Sequence, residues 1–202
     1  KDCINCDLSG ADLKNLDLNG LNLSGSNFSK ADLSGTNLSS ANLEYANMVK
    51  AKLYIANLSF TSLEGANLKQ ARFNGANLTN ANMADATLIN SNLSKVKASG
   101  IVLDGANLKY AKFRGAIMKN ATLSGSNFFM TDFSAADLTK AEINAVDLTN
   151  SVFVSTKLDY VSFQNTNVSG MNLAKYKLEK ENFKNSVLCN AKLPWLEKKY
   201  VC

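Results

Sequence analysis

Large apolar residues recur at every fifth position along almost the whole chain. The series begins with Leu8, Leu13 and Leu18 and continues in one register to Leu193. This makes about 38 consecutive pentads without an insertion, and self-similarity at a short fixed period indicates a solenoid. A period of five matches neither the 3.6-residue repeat of an α-helix nor the two-residue repeat of a flat strand.

A second series lies two residues before each large residue and is mostly small, as at Ala31, Thr36 and Ala41. The residue between the two series is often Asn or Asp, as in ADLSG at 31–35. This pattern predicts a chain that turns a corner after each pentad, so that four pentads form one square coil. Stacked coils would pair backbone to backbone about 4.8 Å apart, which gives about 9 to 10 coils in a rod of roughly 45 Å. Its interior would be filled by side chains.

These pentads resemble the A(D/N)LXX signature of the pentapeptide-repeat family, from about Cys6 to Leu193. The resemblance implies an all-β fold, a right-handed quadrilateral β-helix. We assign residues 1–193 to this solenoid and residues 194–202, PWLEKKYVC, to a short C-terminal cap. The family is defined by its architecture, and a fold does not by itself imply a function.

One pentad departs from the pattern, because Ala98 stands where a large apolar residue is due. The small series is enlarged beside it, at Val96 and Ile101. We interpret this as compensation, in which volume removed from the centre of a side is returned near its corners. A cavity for a partner or ligand is the alternative.

The composition argues against catalysis. The sequence is 46% hydrophobic and 19% charged, carries a formal charge of +5 and contains no histidine. Histidine is the commonest general base and metal ligand, and no nucleophile, base and orienting group occur at a recognisable spacing. We therefore predict a non-enzymatic protein without a cofactor. No apolar run approaches the ~20 residues of a membrane-spanning helix.

Assigning the outward residues to sides by a period of 20 separates the charges. The predicted acidic face comprises Glu44, Glu64, Asp85 and Asp104. The predicted basic face, on the opposite side, comprises Lys52, Arg72, Lys112 and Arg114. Either face could dock another protein of opposite charge, and an ordinary solvated surface is the alternative. No aromatic residues are interleaved with the basic ones, so direct nucleic-acid binding is not expected.

Two further surfaces could mediate association. The predicted apolar patch consists of Phe129, Met130, Val152 and Val154, which face outward on neighbouring coils. Such a patch can mark an interface, although scattered surface hydrophobes are the plainer interpretation. The tail after Pro194 has the apolar content to cover the last coil, and a homodimer contact there is the alternative.

The four cysteines fall in two pairs, Cys3 with Cys6 and Cys189 with Cys202. No second CxxC motif or histidine completes a zinc site, so a disulfide or a buried thiol pair is expected at the first pair. A disulfide at the second pair would attach the tail to the final coil. Disulfides favour a periplasmic, lumenal or secreted protein, with a cytoplasmic location as the alternative.

These observations favour a non-catalytic interaction or scaffold protein whose partner is another protein. The family resemblance implies an alternative, since some members are similar to a DNA duplex in shape and charge and regulate or protect type II topoisomerases such as gyrase. The acidic face is compatible with that function, whereas the overall positive charge argues against it.

Overall fold

The computed structural model describes residues 2–196, which form a four-sided solenoid. Parallel backbone bridges join residues twenty apart, from Asp7–Asn27 near the start to Asn172–Lys192 near the end. Each coil therefore contains four pentads, as the sequence predicts. Most residues of the large apolar series and of the small series are buried along the axis.

The sides of the coil are too short to form extended strands. Within residues 2–196 every pairing is an isolated one-residue bridge, and the one helix is a short 3-10 helix, Lys180–Phe183. The bridging residue is the outward one that precedes each large apolar residue, and a turn follows at once. The predicted all-β architecture thus consists of columns of parallel bridges rather than a conventional sheet.

A hydrogen-bonded turn makes most of the corners. The N–H of Ala31 donates to the carbonyl of Phe28 at 3.0 Å, and the turn residue Lys30 has a φ of 60°. A positive φ at the third residue of a four-residue turn is the signature of type II, which favours glycine or asparagine. All eleven glycines of the sequence occupy this turn position.

Hydroxyl groups in the small series are satisfied inside the core. Thr61 Oγ1 donates to the carbonyl of Leu38 at 2.7 Å, and Thr131 makes the same bond to Leu108. Most of these hydroxyls reach a carbonyl of the preceding coil, and that of Ser91 donates to Leu88 in its own turn, so Ser and Thr enter the core without leaving an unpaired polar group.

Ala98 lies in a regular part of the solenoid. Its side chain and those of Val96 and Ile101 are fully buried. Its N–H donates to the carbonyl of Ile117 at 2.7 Å, and the bridge from Lys97 to Ile117 is intact. This regular backbone supports the interpretation that Val96 and Ile101 compensate for the missing side chain.

The columns of bridges are interrupted on all four sides in the last third of the described chain. Four bridges are absent there, those due between Asn127 and Asp147, Val152 and Asn172, Lys157 and Lys177, and Ser162 and Asn182. Asp147 remains paired with the coil above it and Val152 with the coil below it. The segment 147–152 therefore steps from one coil level to the next.

The upper coil is also irregular after residue 171. Tyr176 occupies a position of the small series, and its hydroxyl donates to the carbonyl of Thr156 at 2.7 Å. Asp159 accepts a hydrogen bond from the N–H of Lys177 at 2.8 Å. Glu181, at a nominally inward position, lies in the 3-10 helix and is exposed.

Candidate interaction surfaces

The four residues of the predicted acidic face lie on four consecutive coils. Glu44, Glu64 and Asp104 occupy equivalent corner positions, and Asp85 is the next turn residue on the coil between the last two. A methyl group added at Gly105 would come within 2.2 Å of Asp85 Oδ1, so this carboxylate lies against the coil of Asp104. With coils about 4.8 Å apart, the run of carboxylates is about 14 Å long.

Neutral donors on the next coil hold the carboxylates in place. Ser62 Oγ donates to Glu44 Oε1 at 3.0 Å, and Asn82 Nδ2 donates to Glu64 Oε2 at 3.2 Å. Asp104 accepts from Thr122 Oγ1 at 2.8 Å. Within residues 2–196, none of the ion pairs involves a residue of the acidic face. The face is therefore ordered without being neutralised.

Tyr45 adds an aromatic group that the sequence reasoning missed. It is 69% exposed and directly follows Glu44. Its ring lies against Gly65, where a methyl group would come within 2.6 Å of the ring. An exposed tyrosine with a fixed ring is a typical interface anchor. The sequence does contain a signal for it, because Tyr45 is a bulky aromatic residue at a turn position that favours glycine.

The predicted basic face is partly neutralised. Lys52 Nζ lies 3.2 Å from Asp32 Oδ2, and Arg114 pairs with Asp132. Arg72 Nη1 instead donates to Tyr54 Oη at 3.3 Å, beside an open depression of about 710 Å³. Lys112 lies on the same bridge column as Lys52 and Arg72, and Arg114 lies at the adjoining corner.

Aspartates on two sides of the rod have lowered pKa values. The hydrogen bond from Ser34 lowers the pKa of Asp32. Burial raises the pKa of Asp137, but hydrogen bonds from Thr139 and the charge of Lys157 outweigh burial and lower it overall. The ionised form of these aspartates therefore stabilises the folded chain more than the protonated form does.

The residues of the predicted apolar patch border two of the missing bridges, Asn127–Asp147 and Val152–Asn172. Phe129 and Met130 are 41% and 53% exposed, and Val152 and Val154 are 41% and 65% exposed. The ring of Phe129 meets that of Tyr110 edge-on, with centroids 5.7 Å apart. Tyr110 therefore extends the patch to the coil below.

The first cysteine pair forms a disulfide, Cys3–Cys6, with the Cα atoms 5.5 Å apart. Ser26 supports it, because its hydroxyl accepts from the N–H of Cys6 and donates to the carbonyl of Cys3. Cys189 is disulfide-bonded, and its predicted partner Cys202 lies outside the described residues.

Trp195 packs at the C-terminal end of the core, where its ring meets Phe183 edge-on with centroids 5.5 Å apart. An apolar pocket of about 450 Å³ lies beside it, lined in part by Leu188, Leu193 and Leu196. The rest of the predicted cap, residues 197–202, lies outside the described residues. The cap and the homodimer contact therefore stay predictions.

The described part of the chain has neither a candidate metal site nor a candidate membrane-spanning helix. Residues 2–196 contain no cluster of three or more His, Cys, Asp or Glu side chains that could hold a metal ion. They also contain no helix that is both long and apolar enough to cross a membrane.

Together, the square coil and its fixed outward columns define a repeat solenoid. The family model for pentapeptide repeats matches eight copies, in segments from residues 6–44 to residues 131–170. The chain belongs to the pentapeptide-repeat family. The family fold is the right-handed quadrilateral β-helix, which agrees with the bridges observed here.

Several solved structures are similar to this chain. HetL, a pentapeptide-repeat protein involved in heterocyst differentiation regulation in the cyanobacterium Nostoc sp. strain PCC 7120, is 27% identical with a TM-score of 0.51. The match covers 98% of this chain and 89% of HetL. QnrB1, a plasmid-mediated fluoroquinolone resistance protein, is 24% identical over 76% of this chain and 78% of its own, with a TM-score of 0.44. The QnrB1 likeness is too weak to bear on function.

A thylakoid-lumen pentapeptide-repeat protein from Arabidopsis thaliana is 26% identical over 63% of this chain and 68% of its own. The TM-score is 0.23, and this likeness does not indicate the compartment of the present chain. No curated protein matches the sequence.

Proposed function

We propose that this protein is a non-catalytic interaction solenoid whose acidic face docks onto a basic surface of another protein. The observation that carries the proposal is the run of Glu44, Glu64, Asp85 and Asp104, with one carboxylate on each of four coils and no ion pair among the described residues. Tyr45 would supply an aromatic anchor at one end of this face.

Binding of a basic partner would reduce the repulsion between the carboxylates of the acidic face. Like charges one coil apart repel each other, as they do across paired strands. Glu44, Glu64 and Asp104 already sit in hydrogen-bonded positions, so little side-chain freedom remains to be lost on binding. Electrostatic complementarity would then increase the association rate and select against acidic partners.

The cysteines support a location outside the reducing cytosol. Cys3–Cys6 is closed and Cys189 is disulfide-bonded. Disulfides of this kind persist in periplasmic, lumenal and extracellular environments. We therefore propose that the partner is found in such a compartment.

A set of charge-neutralising substitutions tests the acidic face. The variant Glu44→Gln, Glu64→Gln, Asp104→Asn removes three charges but keeps a hydrogen-bond acceptor at each position. A matched control removes three charges elsewhere, through Asp7→Asn, Asp17→Asn and Asp147→Asn, at positions where this repeat often carries Asn. The measurement is quantitative cross-linking and capture from an extract of the source organism.

We expect a partner with a basic surface to be retained by the native chain and by the control but lost by the acidic-face variant. Its affinity should fall steeply with added salt. A partner retained equally by all three proteins would refute the role of the acidic face.

The second candidate is a DNA-mimicking regulator or protector of gyrase. The same regular line of carboxylates is the observation that favours it. A gyrase supercoiling assay tests this function: the native chain should change supercoiling and the acidic-face variant should not. No effect at micromolar protein would remove this candidate and leave the first one in place.

A further inference from the structure

The interruption above Val152 leaves a row of backbone donors unpaired. In the described part of the chain, the N–H groups of Asn150, Phe153, Ser155 and Leu158 donate no hydrogen bond. The other edge of the same segment is paired with the coil below, since Phe133 donates to the carbonyl of Val152 and Ala135 to that of Val154, both at 2.8 Å. The unpaired donors therefore form an open edge of the solenoid.

The coil above supplies the opposite edge of this gap. The carbonyls of Asn172 and Ala174, which the regular pattern would pair with Phe153 and Ser155, accept no backbone hydrogen bond within residues 2–196. The upper coil keeps its bonds on its far side, where Leu173 donates to the carbonyl of Lys192 at 2.8 Å. The gap thus has one edge of donors and one of acceptors.

The groove between the two edges is apolar and uncharged. It has a volume of about 450 Å³ and opens to the surface. Phe153, Val154, Met171 and Tyr176 contribute to its walls, and none of its lining residues carries a charge. Pockets of this size and polarity are typical of ligand and peptide-side-chain sites.

We propose that this seam binds an extended, uncharged segment of a partner protein by strand addition. The segment would pair with the free backbone groups, while alternate apolar side chains entered the groove. An extended segment suits the seam better than a helix, because a helix satisfies its own backbone groups and would leave these donors unpaired. The seam is separate from the acidic face and does not depend on it.

The first test selects ligands from a library of random short peptides displayed on phage. The native chain is the target and the variant Val152→Lys, Val154→Lys is the counter-target. Both valines are exposed, so the variant should fold as the native chain does, but the two lysine charges would lie at the groove. Ile55→Lys is the control, since Ile55 is 72% exposed at the same corner of the rod, several coils away.

We expect enriched peptides to be uncharged, with apolar residues at alternate positions. Their affinity should fall about tenfold or more in the double lysine variant and stay unchanged in Ile55→Lys. Methylating alternate peptide nitrogens should abolish binding, because strand addition needs those N–H groups. In the complex, the amides of Phe153 and Ser155 should exchange with solvent more slowly than in the free chain.

Failure to enrich any peptide would overturn the proposal, as would equal binding to the double lysine variant or indifference to methylation. A native dimer that becomes monomeric in the double lysine variant would assign the seam to a second copy of the chain and also overturn it. The acidic-face variant keeps the seam and should bind the selected peptides normally. The two proposals can therefore fail separately.

Discussion

Replacing Ala98 by Leu tests whether the core of the solenoid is filled where the repeat is broken. Ala98, Val96 and Ile101 are all fully buried, so the three added carbons would enter space that the two larger neighbours already occupy. Overpacking of a close-packed core costs about 1–3 kcal/mol. For a chain of this size, that corresponds to a fall in Tm of about 2–12 °C.

The opposite interpretation predicts a change of the opposite sign. If Ala98 bordered an empty cavity, each added methylene would gain about 0.8 kcal/mol, and Ala98→Leu would stabilise the fold by about 2 kcal/mol. Thermal unfolding followed by circular dichroism separates the two results. A rise in Tm would refute compensation by Val96 and Ile101.

A double-mutant cycle assigns the effect to the neighbouring residue. Val96→Ala alone should destabilise the chain by about 2 kcal/mol through the cavity that it leaves. With Val96→Ala in place, Ala98→Leu should cost less than it does in the native chain, with a coupling of about 1 kcal/mol or more. Strictly additive free energies of unfolding would show that the two side chains do not share space.

Two further predictions concern polar groups. Thr61→Val should lower the free energy of unfolding by about 1 kcal/mol, because the Leu38 carbonyl loses its side-chain donor, whereas Thr79→Val at the surface should cost less in the same urea titration. Asp132 and Asp137 have folded-state pKa values below the ordinary 3.8, so the native state binds fewer protons than the unfolded state in this range. Their contribution is complete above about pH 5 and is lost as the pH falls through the folded-state pKa. Asp137→Asn should flatten the decline in Tm between about pH 5 and pH 2, and an unchanged decline would contradict this assignment.

The sequence was sufficient to predict the coil because a single rule applies at almost every pentad. The large series, the small series and the turn positions repeat in one register, and bridges between residues twenty apart follow from that repetition. The same 20-residue period predicts that Glu44, Glu64 and Asp104 lie on equivalent corners. The hydrogen bonds that fix these carboxylates did not, because they depend on side-chain rotamers on the next coil.

The seam could not be predicted, because the apolar series continues through it without a change of register. Leu148, Phe153 and Leu158 stand where the pattern requires them, yet the bridge above Val152 is missing. Its position depends on how much volume the core must hold, and the five-residue pattern does not report volume.

Comparison of the two irregular regions indicates why only one of them opens. At Val96 and Ile101 the enlarged small series accompanies an alanine at the centre, and the bridges are intact. At Met171 and Tyr176 the small series is enlarged while the central residues stay large, and the bridges to the coil below are missing.

Crowding in the core below the seam adds to the excess volume. The ring of Phe133 stacks on those of Phe113 and Phe153 with centroids 5.0 and 5.3 Å apart, more than the usual coil spacing of about 4.8 Å. Phe153 is only partly buried, as are Met171 and Tyr176 in the coil above it. Because close-packed interiors do not absorb extra volume, we attribute the opening to uncompensated side-chain bulk. The same balance that keeps the coil closed around Ala98 therefore creates, near Phe153, an unpaired edge inside the solenoid.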